Sequence, residues 1–203
     1  MPIDHDQVRE AVAGLGLVGD KDSGILRRFG VILANNSVDF LVGREIDLID
    51  YLGPKALNLA EKVLIDAAQW CANATFGGIM ASEEWKGLIE PQIETLQDRY
   101  SGLVAITNCL GWGKIVDFSL DEASEKVNFT VEHSYYVDAW KNRFGTADRP
   151  VCYMWTGVAG GYADLLFKGK VHSHVGIETE CAAQKGTLCK FVGEPHSKKY
   201  DLR

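Results

Sequence analysis

Three cysteines, Cys152, Cys181 and Cys189, fall in the last quarter of this 203-residue sequence, and two acids, Glu178 and Glu180, stand just ahead of the second one. Thiolates and carboxylates are ligands for a borderline-soft divalent cation such as zinc. Pro150 suits a first helical position, so Cys152 is expected in a helix's first turn, where free amides and the helix dipole favour thiolate over thiol. Cys181 and Cys189 bracket a turn containing Gly186, and a hairpin-like return would bring their sulfurs towards one tetrahedral site. A fourth ligand must lie nearby. Strand parity over Lys170 to Glu180 sets His172, His174, Glu178 and Glu180 on one face and Val171, Val175 and Ile177 on the other, without choosing among the four. The competing reading is that small buried cysteines simply pack.

A second group is aromatic. Trp112, His133, Tyr153, Trp155 and Tyr162 lie near a glycine-rich helix and neighbouring strands, and residues of this kind line largely apolar pockets. Each competes with a plain core role, and His133, on the parity of Val127, Phe129 and Val131, with that of a hydrogen-bonded core histidine. Cys71 and Cys109 sit in apolar segments and read as packing residues, with Trp70 and Phe76 towards the core. His5 and His196 lie in polar ends and read as solvated, and Glu83, Glu84 and Glu90 as an exposed helix face.

The elements that must position these residues are helices first and strands later. Apolar spacing predicts short helices over Asp4 to Leu15 and Ser23 to Leu33, with a break at Asn35 and Asn36, and Val38 to Val42 suits a strand or the lead into the next element. Asp47 to Ala74 is the strongest helical signal, restarting near Pro54, and a second helix is expected from Ser82 to Tyr100, kinked or divided at Pro91. Leu103 to Leu110 suits a buried strand. Gly111 and Gly113 mark a tight turn, and Lys114 to Leu120 and Val127 to Tyr136 alternate as antiparallel neighbours. A helix from Pro150 to Gly169 carries Gly157, Gly160 and Gly161, which cost about 1 kcal/mol each and imply close backbone approach to a sheet or a ligand. Lys170 to Glu180 and Leu188 to Val192 close the pattern as strands, with a polar tail beyond Pro195 expected to fray. The order favours a mixed α+β fold over a doubly wound parallel sheet. It is read as one domain over 1–203, with a helical region over 1–37.

Composition limits the function. The net charge of −7 provides no positive field for phosphates, so direct nucleic-acid binding is not expected. With 46% hydrophobic and 24% charged residues the chain is globular in composition, and no run of about 18 apolar residues suggests a membrane span. An acidic start does not suit a signal peptide, which points to the cytoplasm and to free thiols. There is no G-x-G-x-x-G opening a helix, no P-loop, no G-x-S-x-G and no H-E-x-x-H, so no catalytic residues are expected.

The stretches Pro150-Val151-Cys152-Tyr153, Gly157-x-x-Gly160-Gly161-Tyr162, Glu178-Thr179-Glu180-Cys181 and Gly186-x-x-Cys189-x-Phe191-Val192-Gly193 carry a resemblance. Together they resemble the 4-vinyl reductase domain family, which includes the effector-binding domains of phenol- and xylene-responsive activators, over about residues 38–194. The resemblance implies a helix-flanked antiparallel sheet, commonly dimeric, holding a small hydrophobic or aromatic molecule beside a structural zinc. It implies Cys152, Glu178, Cys181 and Cys189 as the ligands of a zinc that stabilises the C-terminal hairpin, and Tyr162 as a pocket residue. The activators' ATPase and helix-turn-helix modules have no counterpart in these 203 residues. The expected role is a zinc-containing binding protein for a small aromatic molecule, as sensor or accessory. The alternatives are a catalytic or accessory subunit in tetrapyrrole vinyl reduction or aromatic metabolism, and an assembly protein with a protein partner.

Overall fold

A computed structural model describes residues 2–16, 18–34 and 36–196. The expected break at Asn35 and the tail over 197–203 lie outside the described residues. The chain opens with helix α1 (His5–Gly14), capped by the Asp4 carboxylate, which accepts from the Gln7 amide at 2.9 Å. Next, where a second short helix was expected, comes a hairpin of β1 (Leu26–Arg28) and β2 (Val31–Leu33). Phe29 and Gly30 between them have φ of 53° and 71°, and two consecutive left-handed residues make the tight hairpin turn that a helix cannot contain. The region 1–37 is therefore a helix plus a hairpin.

Helix α2 (Val38–Leu52) resolves the ambiguous Val38 to Val42 run as its first turns, with Ser37 as the cap. Gly53 at φ 73° ends it, Pro54 opens a 3-10 turn, and α3 (Leu57–Ala81) runs on past the expected end at Ala74. Pro91 divides the next helical stretch, giving α4 (Glu83–Leu88), a 3-10 turn over Glu90–Gln92, and α5 (Leu96–Thr107). Leu103 to Thr107, expected in a strand, belong to α5. Thr95 and Asp98 form a reciprocal capping box at its start, and the continuous apolar run reflects a helix buried on every side from Gly102 to Thr107.

Gly111 and Gly113, at φ 79° and 151°, carry the expected turn around Trp112 into β3 (Lys114–Asp121), which pairs with β4 (Lys126–Glu132). Strand β4 stops earlier than its alternation suggested. His133 turns left-handed at φ 54°, and the chain enters an unexpected helix, α6 (Tyr135–Phe144). Helix α7 (Tyr153–Leu166) leads to β5 (His174–Glu180) and β6 (Leu188–Pro195), and the sheet order is β3-β4-β6-β5, antiparallel throughout.

Helix α7 lies between the sheet and α3. A Cβ on Gly161 would stand 2.6 Å from that of Ala72, and one on Gly157 would meet Ala68 and Gln69, so these glycines admit α3 and not a strand or ligand. On the other side the strands supply the glycines: a Cβ on Gly176 or Gly193 would run into the carbonyl oxygens of Thr156 and Ala159. Phe76 is buried as expected, but Trp70 is 59% exposed and Cys71 lies on the same outer side. Within that turn of α3 Gln69 and Ala72 take the side that meets α7, and Trp70 and Cys71 are left exposed. His5 is half-buried, bonding Ser101 Oγ at 2.9 Å and stacking on Phe118, while His196 is exposed.

Candidate metal centre and aromatic cluster

Cys152 sits at the cap of α7, one residue before the first helical turn in which it was expected. Its backbone amide donates to Glu178 Oε2 at 2.9 Å, and its sulfur lies 3.7 Å from that of Cys189. The amide of Ala182 donates to Cys189 Sγ at 3.3 Å. Turn bonds from Gln184 and Lys185 to the Cys181 carbonyl, with Gly186 at φ 74°, fold the connection back so that both cysteines meet α7's N-terminus. One ligand atom from each of Cys152, Glu178, Cys181 and Cys189 lies within 4.8 Å of all the others.

The choice between the two acids is made by a bulge. Register slips between Glu178, opposite Phe191, and Glu180, opposite Lys190. The extra residue breaks the alternation that would have kept the acids on one face. Glu180 turns outward and accepts from Lys190 Nζ at 2.8 Å, leaving Glu178 to the cysteines. Neither histidine joins them. His174 is buried beside Asp164, and His172 presents its ring edge to Trp70.

The cluster is electrostatically incomplete. Burial pushes the Glu178 carboxyl up to about 8, with the nearby Cys181 adding to the rise. Hydrogen bonds from Cys152 and Cys189 lower Cys181, and the same contact with Cys181 raises Cys152. Glu178 Oε1 is buried with no hydrogen-bond partner. Three clustered sulfurs and an unsatisfied carboxylate oxygen fit a tetrahedral thiolate-rich cation site.

The five aromatic-pocket candidates separate. Trp112, Trp155 and Tyr162 meet in one cluster of rings: Trp112 contacts Trp155 edge-on at 6.1 Å, and Phe129 and Phe76 bridge onwards to Tyr162. Tyr153 lies apart, its ring against Tyr136 and its hydroxyl donating to Glu61 Oε1 at 3.0 Å. His133, its side chain 80% exposed, lines a surface cleft and does not reach the rings. Inside the cluster Thr107 donates to the Leu103 carbonyl, so its short contact with Tyr162 uses the phenol as donor. Trp155 Nε1 is buried without a partner.

The fold has known counterparts. The fold matches a crystal structure of the phenol-responsive sensory domain of the transcription activator PoxR with phenol. The TM-score is 0.71 at 18% identity, over 96% of this chain and 92% of that one. In sequence, 70 residues are 30% identical to the phenol regulator MopR of Acinetobacter guillouiae, which is 34% of this chain but only 12% of that regulator. A trafficking protein particle complex subunit 3 from Naegleria fowleri, covalently bound to palmitic acid, matches at TM-score 0.52 and 9% identity, over 79% of this chain and 95% of that one. No family model matches the chain. Among the described residues no helix is long and apolar enough to cross a membrane.

Sequence reasoning missed two polar knots on the PoxR-like scaffold. Asp164, fully buried in α7, accepts from Gln69 Nε2 at 2.7 Å, from the His172 and His174 amides at 2.9 Å, and pairs with His174 Nδ1 at 3.0 Å. Burial pushes its carboxyl up, but these donors prevail and hold it below the ordinary carboxylate value. The second knot joins Arg149 Nε and the Tyr153 hydroxyl to Glu61 Oε1, clamping α7's start to α3. Gln69 and Asp164, polar residues on otherwise apolar helical faces, were the available signal.

Proposed function

We propose that this chain is a zinc-braced binding domain for a small aromatic molecule, acting as a sensor or accessory module of the 4-vinyl reductase domain kind. The observation that carries the reading is the convergence of Cys152, Glu178, Cys181 and Cys189 within 4.8 Å at the head of the helix that carries Trp155 and Tyr162 into the ring cluster. The likeness to a sensory domain that responds to phenol supports it. Zinc bound there supplies a structural cross-link with all four positions filled by protein. The four residues fasten α7 to the β5–β6 connection, setting the helix on which two cluster aromatics stand.

Within the cluster, Trp155 Nε1 offers a donor that no protein acceptor takes, and Tyr162 keeps acceptor capacity after donating to Thr107. A hydroxylated aromatic ring answers both, with apolar edges against Phe76, Phe129 and Trp112. A cytoplasmic homodimer completes this reading. Metal analysis and native mass spectrometry of the full chain test the brace, and tryptophan fluorescence titrated with phenol tests aromatic binding at the ring cluster. One zinc per chain and saturable quenching are expected; a metal-free chain with a linear, non-saturating response overturns the reading.

A second reading, an assembly role, is favoured by one surface. Leu59, Val63 and Trp70, spaced along one face of α3, are 60, 48 and 59% exposed. Size analysis at increasing concentration, with and without Trp70→Ser, distinguishes an assembling face from an inert one.

A further inference from the structure

Two open clefts each have one residue of the four-ligand cluster in their wall. One, about 280 Å³, has Glu178 in its wall, with Glu61, Arg149 and Tyr153. The other, about 360 Å³, lies between the end of β4, α6 and the Cys181–Cys189 connection, and Cys189 forms part of its wall. Their chemistry differs. In the smaller cleft Glu61 is already engaged by the Arg149 guanidinium at 2.7 Å and by the Tyr153 hydroxyl, and the other carboxylate, Glu178, belongs to the cluster itself.

The larger cleft is lined with cation-ligating groups. Glu132 directly follows Val131, the residue paired with Cys189, and its carboxylate lies 4.0 Å from His133 Nε2. Asp138, one turn along α6, shares the wall. Ser134 stands at the α6 cap, where serine ordinarily accepts from the first turn, but it makes no such bond. The residue belongs to the cleft wall, and its hydroxyl is buried with no partner. Val131, Val137 and Ala182 form the apolar part of the lining.

We propose that this cleft is the port through which a divalent cation reaches and leaves the cluster. Glu132, His133 and Asp138 capture it at the rim, Ser134 Oγ replaces lost hydration water, and Cys189 is the first cluster ligand met. The proposal rests on the reading of Cys152, Glu178, Cys181 and Cys189 as a metal site. Lys141, on the same wall, offsets part of the charge of Glu132 and Asp138 and so opposes capture. Charged clefts change association rates by about 10-fold or more, with steep dependence on ionic strength.

The test is stopped-flow loading of the metal-stripped full chain with Co²⁺, followed by the thiolate-to-cobalt absorption. Glu132→Gln with Asp138→Asn should slow loading about tenfold and flatten its salt dependence, with final affinity changed far less than rate. His133→Asn, which tolerates the left-handed backbone, should slow it less, and Lys141→Gln should accelerate it. Rates unmoved by all four changes, or slowed by Glu61→Gln and not by the rim pair, would overturn the port. A wild-type chain that develops no thiolate–cobalt absorption removes the metal site itself, a failure distinct from loading at unaltered rates.

Discussion

The two ends of α7 are both tied to β5 by polar groups in an apolar interior, yet they differ in completeness. At the C-terminal end Asp164 takes two backbone amides, the Gln69 side chain and the His174 ring, and it stays ionised because its donors surround it. At the N-terminal end three thiols and Glu178 crowd together, each raising or lowering its neighbours, with Glu178 Oε1 unanswered. Asp164 is an acceptor answered by its donors, with His174 Nε2 beside it left without a hydrogen bond, whereas Glu178 is an acceptor with one oxygen unanswered.

That contrast can be broken most sharply at the Asp164 end. Asp164→Ala strands the donors of Gln69, His172 and His174, and should cost about 3–5 kcal/mol in urea unfolding, with or without chelator. At the other end, metal removal should cost about 4 kcal/mol at a metal concentration about a thousandfold above Kd. Differential scanning fluorimetry would read this as a fall in Tm, and Cys181→Ser should already be low and insensitive to chelator. Equal chelator responses in the two variants would dissolve the distinction.

Acid sharpens the comparison further. Metal ligands must be deprotonated, so the chelator-sensitive part of stability should fade first as pH drops. Asp164, with its folded value depressed, contributes stability that is fully present above the ordinary value of 3.8 and is lost only as pH falls below it, through the folded value. Unfolding measured across pH with and without chelator should show two separate losses in that order. A smaller effect is expected at Glu45, buried on α2 with its carboxyl pushed up by desolvation and Oε2 unpartnered. Its raised value makes it favourable below the unfolded carboxylate value and progressively costly as pH rises through the folded one. Glu45→Gln should stabilise by about 1 kcal/mol at neutral pH and by almost nothing at pH 4.

How far the sequence could be read follows from the range of the interactions. Residue types and short spacings named Cys152, Cys181 and Cys189 as metal-ligand candidates, because thiol chemistry is a property of the side chain itself. Period-2 alternation marked β3 and the main part of β4, and Gly53-Pro54 marked the restart before α3, because these signals lie within a few residues. Leu103 to Thr107 was misread because an element buried on all sides has no wet face to reveal its period. Likewise, Phe29-Gly30 gave little local warning of a hairpin whose strands are only three residues each.

What tertiary structure alone decided were the matters that depend on distant neighbours. The β5 bulge against β6 selected Glu178 over Glu180, the turn at His133 moved that ring out of the aromatic group, and the approach of α3 explained glycines that local reasoning assigned to a sheet or ligand. Asp164 shows the same limit most plainly, since four donor atoms, the farthest from a residue 95 positions away in sequence, made it a structural knot. Side-chain chemistry is written in the chain, but proximity is settled by packing, and packing sums contacts that no window of sequence contains.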